Sequence, residues 1–208
     1  MIFNANSIWN KPIGDNPTIK GEFSATLSRQ PKVGINGVTD FGIPVWDVDA
    51  STPRVTVVNE PGHSEIIPVP PGIIASPISD GFLIIRDIGA GRAYSAWRWT
   101  PNGDGTYTGQ SMASHNIGPT GNGFTTFWAG NPWDGNVGYL AGHILLDELK
   151  SGVIDHALSI AFDADMVNKS LITWPSGMTS DGHATDPLSL QYGQRIQLDP
   201  NLNLDTLG

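Results

Sequence analysis

The hydrophobic pattern changes its period most clearly between residues 138 and 162. Apolar residues first recur at helical spacing and reach a stop at Gly152, which predicts a short amphipathic helix over residues 144–150. Residues 153–162 then alternate between apolar and polar, which predicts a strand with His156 on its more apolar face. A histidine there either satisfies its ring nitrogens inside a core or faces a cleft.

Short segments rich in β-branched and aromatic residues, bounded by turn residues, recur along the rest of the chain. They predict strands over residues 43–48, 54–58, 82–87, 92–99 and 195–198. The 25 glycines and 16 prolines fit many short elements joined by specified turns, which disfavours a helix-rich fold. The pattern therefore predicts an all-β protein.

Two longer segments differ from these strands in composition. Residues 109–138 combine Gly, Asn and Ser with aromatic residues and predict a long ordered surface loop that carries His115 and Trp133. Residues 1–24 predict an extended, proline-punctuated arm. We therefore expect one domain over residues 1–208, a jelly-roll-like β-sandwich with one short α-helix and long loops.

The two faces of the predicted strand 92–99 carry side chains of different kinds. Arg92 and Tyr94 share one face, whereas Trp97 and Trp99 share the other with smaller residues. The two tryptophans either pack within the protein or offer their rings to a ligand.

Charge and composition narrow the range of partners. The formal net charge is -9 with only 11 Lys and Arg residues, so the field of the protein repels nucleic acid and anionic membranes, and we expect neither as a partner. No apolar run approaches the roughly 20 residues of a membrane-spanning helix. The chain has no cysteine, and its 5 histidines are too far apart for a local metal motif, so we expect no cofactor; whether a structural Ca²⁺ braces the loops is left open by the sequence.

The remaining composition favours a carbohydrate ligand. The chain lacks the Walker loop, the Rossmann glycine pattern, the nucleophile elbow and the zinc-protease motif. Aromatic rings offer sugars a flat apolar platform, while Asn, Gln, Arg and Asp bind hydroxyl groups. We therefore predict a polysaccharide as the partner.

Two cleavage chemistries need different sets of residues. Hydrolysis needs a pair of carboxylates, for which Asp80, Glu148, Asp155 and Asp181 are available. β-Elimination from a uronic acid needs a base, an acid and a group that neutralises the sugar carboxylate, and the His, Tyr, Arg and Gln residues supply these. We predict a polysaccharide-cleaving enzyme, with a lyase acting on a uronate-containing glycan slightly favoured over a glycoside hydrolase.

The candidate site residues follow from this chemistry. Asp181 is expected to orient the imidazole of His156 or His115, because a neighbouring carboxylate fixes the ring tautomer. The predicted catalytic residues are His156, His115, Asp181 and Asp80, and the predicted substrate-binding residues are Arg92, Tyr94, Trp97, Trp133, His183, Gln191 and Tyr192.

A structural role is the alternative for several of these residues. His156 can be a hydrogen-bonded core histidine, and Asp80 and Asp181 can cap turns. The alternative function is a non-catalytic glycan-binding or phage virion attachment module, in which Trp97, Trp128 and Trp133 form an aromatic platform.

Several short motifs occur along nearly the whole chain, and they include Ser7-Ile-Trp9-Asn10, Ser79-Asp80-Gly81, Leu140-Ala-Gly142, Gly152-x-Ile154-Asp155-His156-Ala157-Leu158, Trp174-Pro175 and Ser180-Asp181-Gly182. Taken together, they resemble a broad family of bacterial secreted and phage-associated β-rich proteins, most of which have no assigned chemistry. The resemblance implies an extracellular or virion-associated location, although the polar start of the chain shows no signal peptide, and it draws attention to Asp80, His156 and Asp181. The tripeptide Ile154-Asp155-His156 is also similar to the Gln-Ile-His element of jelly-roll alginate lyases.

Overall fold

A seven-stranded mixed sheet forms the centre of the computed structural model, which describes residues 2–14, 42–60, 62–77, 80–128, 140–160, 162–176, 180–197 and 203. β1 runs parallel to β4 and β2 runs parallel to β6, whereas the other neighbouring strands are antiparallel. The order is β1-β4-β5-β6-β2-β3, and β7 pairs with β6 beyond β2. The strands are β1 (Val45–Val48), β2 (Arg54–Asn59), β3 (Ser64–Pro68), β4 (Leu83–Asp87), β5 (Arg92–Pro101), β6 (Tyr107–Asn116) and β7 (Thr126–Phe127).

Two smaller elements lie outside this sheet. Strands β8 (Val167–Ile172) and β9 (Leu190–Tyr192) form a parallel pair, and α1 (Leu146–Ser151) is a short helix. The prediction of a β-rich chain with one short helix is confirmed for the described part of the chain. The main sheet is open there, because no described strand joins β1 to β3.

Both faces of the main sheet are buried, which explains why Leu83, Ile84 and Ile85 form an unbroken apolar run. The cluster on the inner face includes side chains from both edge strands, Val48 of β1 and Ile67 of β3. This inner core consists of Val48, Val57, Ile67, Val69, Leu83, Ile85, Tyr94, Ala96, Trp99, Met112 and Trp128. The outer face is covered by a second cluster, formed by Phe3, Ile84, Ala93, Ile117, Leu140 and Ala141.

The N-terminal arm provides part of this outer cover. The N–H group of Asn4 donates to the carbonyl of Gly121 at 2.9 Å, and the indole Nε1–H of Trp9 donates to the carbonyl of Gly123 at 3.2 Å. The carbonyl of Trp9 in turn accepts from the N–H group of Ala157 at 2.8 Å. The arm is thus an integral part of the fold, with Trp9 at its centre.

The face assignment of Trp99 differs from the prediction. Arg98 has a positive φ of 52°, which is rare for a residue other than glycine. The successive N–H groups of Arg98 and Trp99 donate to Asp80 and Gly81, whereas a regular antiparallel ladder uses alternate residues. This irregularity brings Trp99 into the inner core beside Tyr94, so its predicted location on the same face as Trp97 is wrong.

Residues 109–116 are also assigned differently, because they belong to β6 and not to a long loop. Their small side chains give a weak strand signal by themselves, and the strand exists because β5 pairs with β6 along its whole length. The prediction of a loop is therefore wrong for these residues. Residues 129–139, which include Trp133, lie outside the described residues.

The predicted strand over residues 153–162 is wrong as far as it is described. Residues 153–160 form no strand, because their backbone bonds to the arm and to Gly142 and finds no strand to pair with. The predicted helix is confirmed with shifted bounds, but it buries no residue, and Leu146 and Leu149 are exposed. Residues 195–197 also form no strand, because a turn bonds the N–H group of Gln194 to the carbonyl of Gln191 directly after β9.

Candidate functional site

Arg92 and Tyr94 lie together at the inner face of the sheet, as their spacing predicts. The guanidinium carbon of Arg92 lies 5.5 Å from the centre of the Tyr94 ring. The Nη2 group of Arg92 donates to the hydroxyl of Ser114 at 2.8 Å. Ser114 is the cross-strand partner of Tyr94 in the β5–β6 pair, so the register of these two strands fixes the arrangement.

Glu65 on the edge strand β3 and His63, which directly precedes this strand, lie beside Arg92. Glu65 Oε2 lies 3.9 Å from Arg92 Nη2, and Glu65 Oε1 lies 3.4 Å from His63 Nε2. The ring of His63 meets Trp128 edge-on, with 5.4 Å between the ring centres. We call this group of Arg92, Tyr94, Ser114, Glu65, His63 and Trp128 the Arg92 cluster.

The Arg92 cluster combines accessible charges with a buried aromatic wall. The side chains of Arg92, Glu65 and His63 are 41%, 32% and 39% exposed, whereas Tyr94 and Trp128 are buried. The Nε–H group of Arg92 and the indole N–H group of Trp128 are buried and have no hydrogen-bond partner among the described residues. Buried donors of this kind are normally satisfied, so both are suited to a bound ligand or water.

Burial also changes the acidity of the Tyr94 phenol in this cluster. Removal from water raises the pKa of Tyr94, and the nearby positive charge of Arg92 offsets only part of that rise. Tyr94 therefore keeps its proton at neutral pH. Such a hydroxyl is suited to donating a proton or a hydrogen bond.

His156, the first predicted catalytic residue, is held inside the fold. Its Nδ1 lies 2.8 Å from the carbonyl of Ala157, and its Nε2 lies 2.9 Å from Glu148 Oε1. The side chains of His156 and Glu148 are only 5% and 16% exposed. The second oxygen of Glu148 accepts from the N–H group of Leu145 at 2.8 Å, which ties the start of α1 to His156.

His115 is buried in β6, away from any loop surface. It is 4% exposed, and its ring centre lies 5.9 Å from that of Phe3 in the arm. Neither ring nitrogen has a hydrogen-bond partner among the described residues. Burial, with a smaller contribution from the positive charge of Arg92, lowers the pKa of His115 from 6.5 to about 4.

This pKa predicts a loss of stability in acid. Between pH 6.5 and about 4 the unfolded chain binds a proton at His115 that the folded chain does not bind, so the free energy of unfolding falls as the pH falls. The full loss is about 3 kcal/mol, since one pKa unit corresponds to about 1.4 kcal/mol. Urea unfolding of wild type and His115→Leu at pH 7 and pH 4 measures the effect, and the variant should lose about 3 kcal/mol less. Equal losses in the two proteins would contradict the assignment.

Asp80 and Trp97 lie together because their side chains bond to each other. The indole Nε1–H group of Trp97 donates to Asp80 Oδ1 at 3.3 Å. The guanidinium of Arg98 covers the Trp97 ring at 4.3 Å from its centre. Because Arg98 already stacks on it, this ring is less suited to serve as an open sugar platform.

The C-terminal candidates form a second group beside β8 and β9. The hydroxyl of Tyr192 donates to Asp181, and the side chain of Gln191 accepts from Thr173 at 2.7 Å. His183 Nδ1 lies 2.9 Å from Asp165 Oδ1 on the surface. Asp181 therefore orients neither His156, whose ring is held by Glu148, nor His115, and this part of the prediction is wrong.

Four of the six members of the Arg92 cluster are absent from the predicted catalytic and substrate-binding residues, namely Trp128, His63, Glu65 and Ser114. Glu65 lies on β3, His63 directly precedes this strand and Ser114 lies on β6, so only the sheet brings them to Arg92. One signal was present in the sequence. Glu65 lies two residues before the apolar Ile67, and residues two apart in a strand share one face, so its carboxylate lies on the face of the buried Ile67.

The described residues were also compared with what a metal site and a membrane-spanning helix require. The described part of the chain contains no group of three or more His, Asp or Glu side chains placed to hold a metal ion. It also contains no helix of the length and apolar character needed to cross a bilayer.

Comparison with models of protein families, with curated proteins and with solved structures finds no match, so the family resemblance remains a prediction from the motifs.

Proposed function

We propose that the protein is a polysaccharide lyase that acts on a uronate-containing glycan at the Arg92 cluster. The observation that carries the proposal is the convergence of Arg92, Tyr94 and His63, which is accompanied by Glu65 and by two buried donors that have no hydrogen-bond partner among the described residues. Arg92 is suited to a sugar carboxylate, because a guanidinium binds carboxylates through two parallel hydrogen bonds.

Each step of β-elimination has a candidate residue. Arg92 neutralises the carboxylate at C5, which stabilises the charge that develops as the C5 proton leaves. His63 accepts that proton, and Glu65, 3.4 Å from its ring, orients it. As the C4–O bond breaks and the C4=C5 double bond forms, the protonated Tyr94 donates to the leaving oxygen.

Three of the four carboxylates that were predicted for hydrolysis are engaged within the protein, which supports the lyase over the hydrolase. Glu148 is engaged by His156 and by the start of α1, Asp80 is bonded to Trp97, and Asp181 is bonded to Tyr192. A glycoside hydrolase needs two carboxylates that face the same sugar bond. These three residues instead serve contacts within the protein.

The proposal extends to the architecture and to the location. We also propose that the described sheet belongs to a jelly-roll-like fold, and that the groove in which such folds bind glycans includes the Arg92 cluster. An extracellular or virion-associated protein would meet such a polysaccharide, and a structural Ca²⁺ remains part of the same proposal.

One observation favours a non-catalytic glycan-binding or virion attachment module as the second candidate. The two ring nitrogens of His156 are both engaged within the protein, and His115 is buried with its pKa lowered to about 4. Neither histidine is therefore available as a base in this structure. Binding without cleavage needs only Arg92 and the surrounding aromatic residues.

An assay on purified uronate polysaccharides tests the proposal. Alginate, pectate, hyaluronate and glucuronan should give the ultraviolet absorbance of an unsaturated uronate with at least one of the four. His63→Ala should lower turnover by about a hundredfold, because a general base contributes at least that much. The matched control is His183→Ala, which removes an exposed histidine outside the cluster and should keep wild-type turnover.

The outcomes separate the candidate functions. New reducing ends without the absorbance would support a hydrolase and refute the lyase. Retardation of the protein in gels containing a uronate polymer, without cleavage and with loss of retardation in Arg92→Ala, would support the binding module. Wild-type turnover in His63→Ala would remove this residue from the mechanism.

A further inference from the structure

Arg54 is a second arginine beside the Arg92 cluster, and the proposed mechanism does not use it. It is the first residue of β2 and is exposed. Its Nη2 group donates to the carbonyl of Ile66 on β3 at 2.9 Å. Ile66 directly follows Glu65, whose Oε2 lies 3.9 Å from Arg92 Nη2. This hydrogen bond therefore holds the guanidinium of Arg54 against the strand that carries the acid of the cluster.

The charge of Arg54 also acts on the phenol of the cluster. Burial, the largest influence, raises the pKa of Tyr94, and the positive charges of Arg92 and then Arg54 lower it. The influence of a charge falls with distance, so the guanidinium groups of both arginines lie near the same hydroxyl. Arg92 belongs to β5, whereas Arg54 belongs to the hairpin of β2 and β3. Two cations therefore approach one phenol from different parts of the sheet.

The two arginines differ in how far nearby acids neutralise them. Arg92 has the carboxylate of Glu65 at 3.9 Å, whereas Arg54 forms no ion pair within the part of the chain that the structure describes. The protein as a whole carries a net charge of -9 and repels polyanions, so an acidic polymer can bind only where cations are concentrated locally. A guanidinium without an acid partner is suited to a carboxylate of the ligand.

We propose that Arg54 binds the carboxylate of the uronate next to the one that Arg92 binds, so that the substrate is a polymer with a carboxylate on every ring. The inference rests on the proposed function, in which Tyr94 donates to the glycosidic oxygen between two sugars. Arg92 holds the sugar on one side of this oxygen, and the second guanidinium near the phenol serves the sugar on the other side. Alginate, pectate and glucuronan are polymers of this kind, whereas hyaluronate carries a carboxylate only on alternate rings.

Affinity electrophoresis at pH 7 tests the role of Arg54. Gels containing alginate, pectate or glucuronan should retard the wild-type protein in at least one case. Arg54→Gln should weaken that apparent affinity about tenfold, because a hydrogen-bonded pair of charges is lost, and Arg54→Lys should lose less. Retardation in hyaluronate gels should be the same for wild type and Arg54→Gln. The matched control is Lys150→Gln, which removes an exposed positive charge on α1 and should bind every polymer like wild type.

Turnover separates a failure of this inference from a failure of the proposed function. On a polymer that is cleaved, Arg54→Gln should raise KM about tenfold and keep kcat, because the contact is equal in the ground state and the transition state. Weaker retardation of Arg54→Gln without any unsaturated product would refute the lyase but support the pair of carboxylate sites.

Two results would overturn the inference itself. One is the absence of wild-type retardation by alginate, pectate and glucuronan. The other is wild-type affinity and KM in Arg54→Gln, which would limit Arg54 to its hydrogen bond with Ile66. Urea unfolding of Arg54→Gln measures that structural contribution separately, since a merely structural arginine would change the stability and not the affinity.

Discussion

Gly142→Ala is expected to lower the free energy of unfolding by about 3 kcal/mol or more, through backbone strain and a steric clash together. Gly142 has a φ of +81°, a conformation that L-residues with a side chain rarely adopt. A Cβ atom there would lie 2.8 Å from Cζ3 of Trp9 and would also collide with Ser159. The substitution therefore strains the contact that fixes the N-terminal arm to residues 157–159.

Gly152→Ala is a matched control for this prediction. Gly152 also has a positive φ, of +70°, but a Cβ atom there would meet nothing within 4 Å. The control should lose only the strain of the left-handed conformation, about 1 kcal/mol. Urea unfolding at pH 7 measures both variants, and equal losses would show that the Trp9 contact is not under steric constraint.

His156→Ala should lower the free energy of unfolding by about 3 kcal/mol, because it leaves the carboxylate of Glu148 buried without its main partner. The imidazole joins α1 to the segment after it through Glu148 Oε1 and the carbonyl of Ala157. The specific activity of the folded variant should equal that of wild type, since this histidine is structural in the proposed mechanism. Thermal or urea unfolding and lyase assays measure the two quantities separately.

A double-mutant cycle with Glu148→Ala tests whether the two side chains act as a pair. Their interaction energy should be about 1 to 3 kcal/mol, because they are in direct contact and nearly buried. Asp155→Ala, a change at the exposed neighbour of His156, should cost no more than about 0.5 kcal/mol. A hundredfold loss of turnover in His156→Ala with wild-type stability would show that His156 is a catalytic residue and not a structural one.

The hairpin of β4 and β5 shows how much of the fold the sequence predicts. The segment Leu83–Asp87 and the start of β5 combine strand-forming residues with a turn at Gly91, whose φ is +64°. Local preference and pairing partner agree here, because the two strands are neighbours in the chain. The proximity of Arg92 and Tyr94 follows directly, since residues two apart in a strand share a face.

The segments at 107–116 and 153–160 show where local patterns are insufficient. The first has a weak strand signal but becomes β6, because β5 pairs with it along its length. The second alternates like a strand, yet its N–H groups donate to Trp9 and Gly142 instead of to a neighbouring strand. A period of two describes which side chains lie on one side, but it does not supply a pairing partner.

The sequence by itself determined the β-rich class, the short helix near residue 146 and the pairing of Arg92 with Tyr94 on one face. These features depend on spacing within a few residues, where backbone geometry alone decides which side chains meet. Only the tertiary structure decided that Glu148 holds His156, that His115 is buried and that Glu65 and His63 join Arg92. Those contacts arise when folding brings segments that are distant in the chain together around a shared core, and the energy of burying that core is not encoded in any one segment.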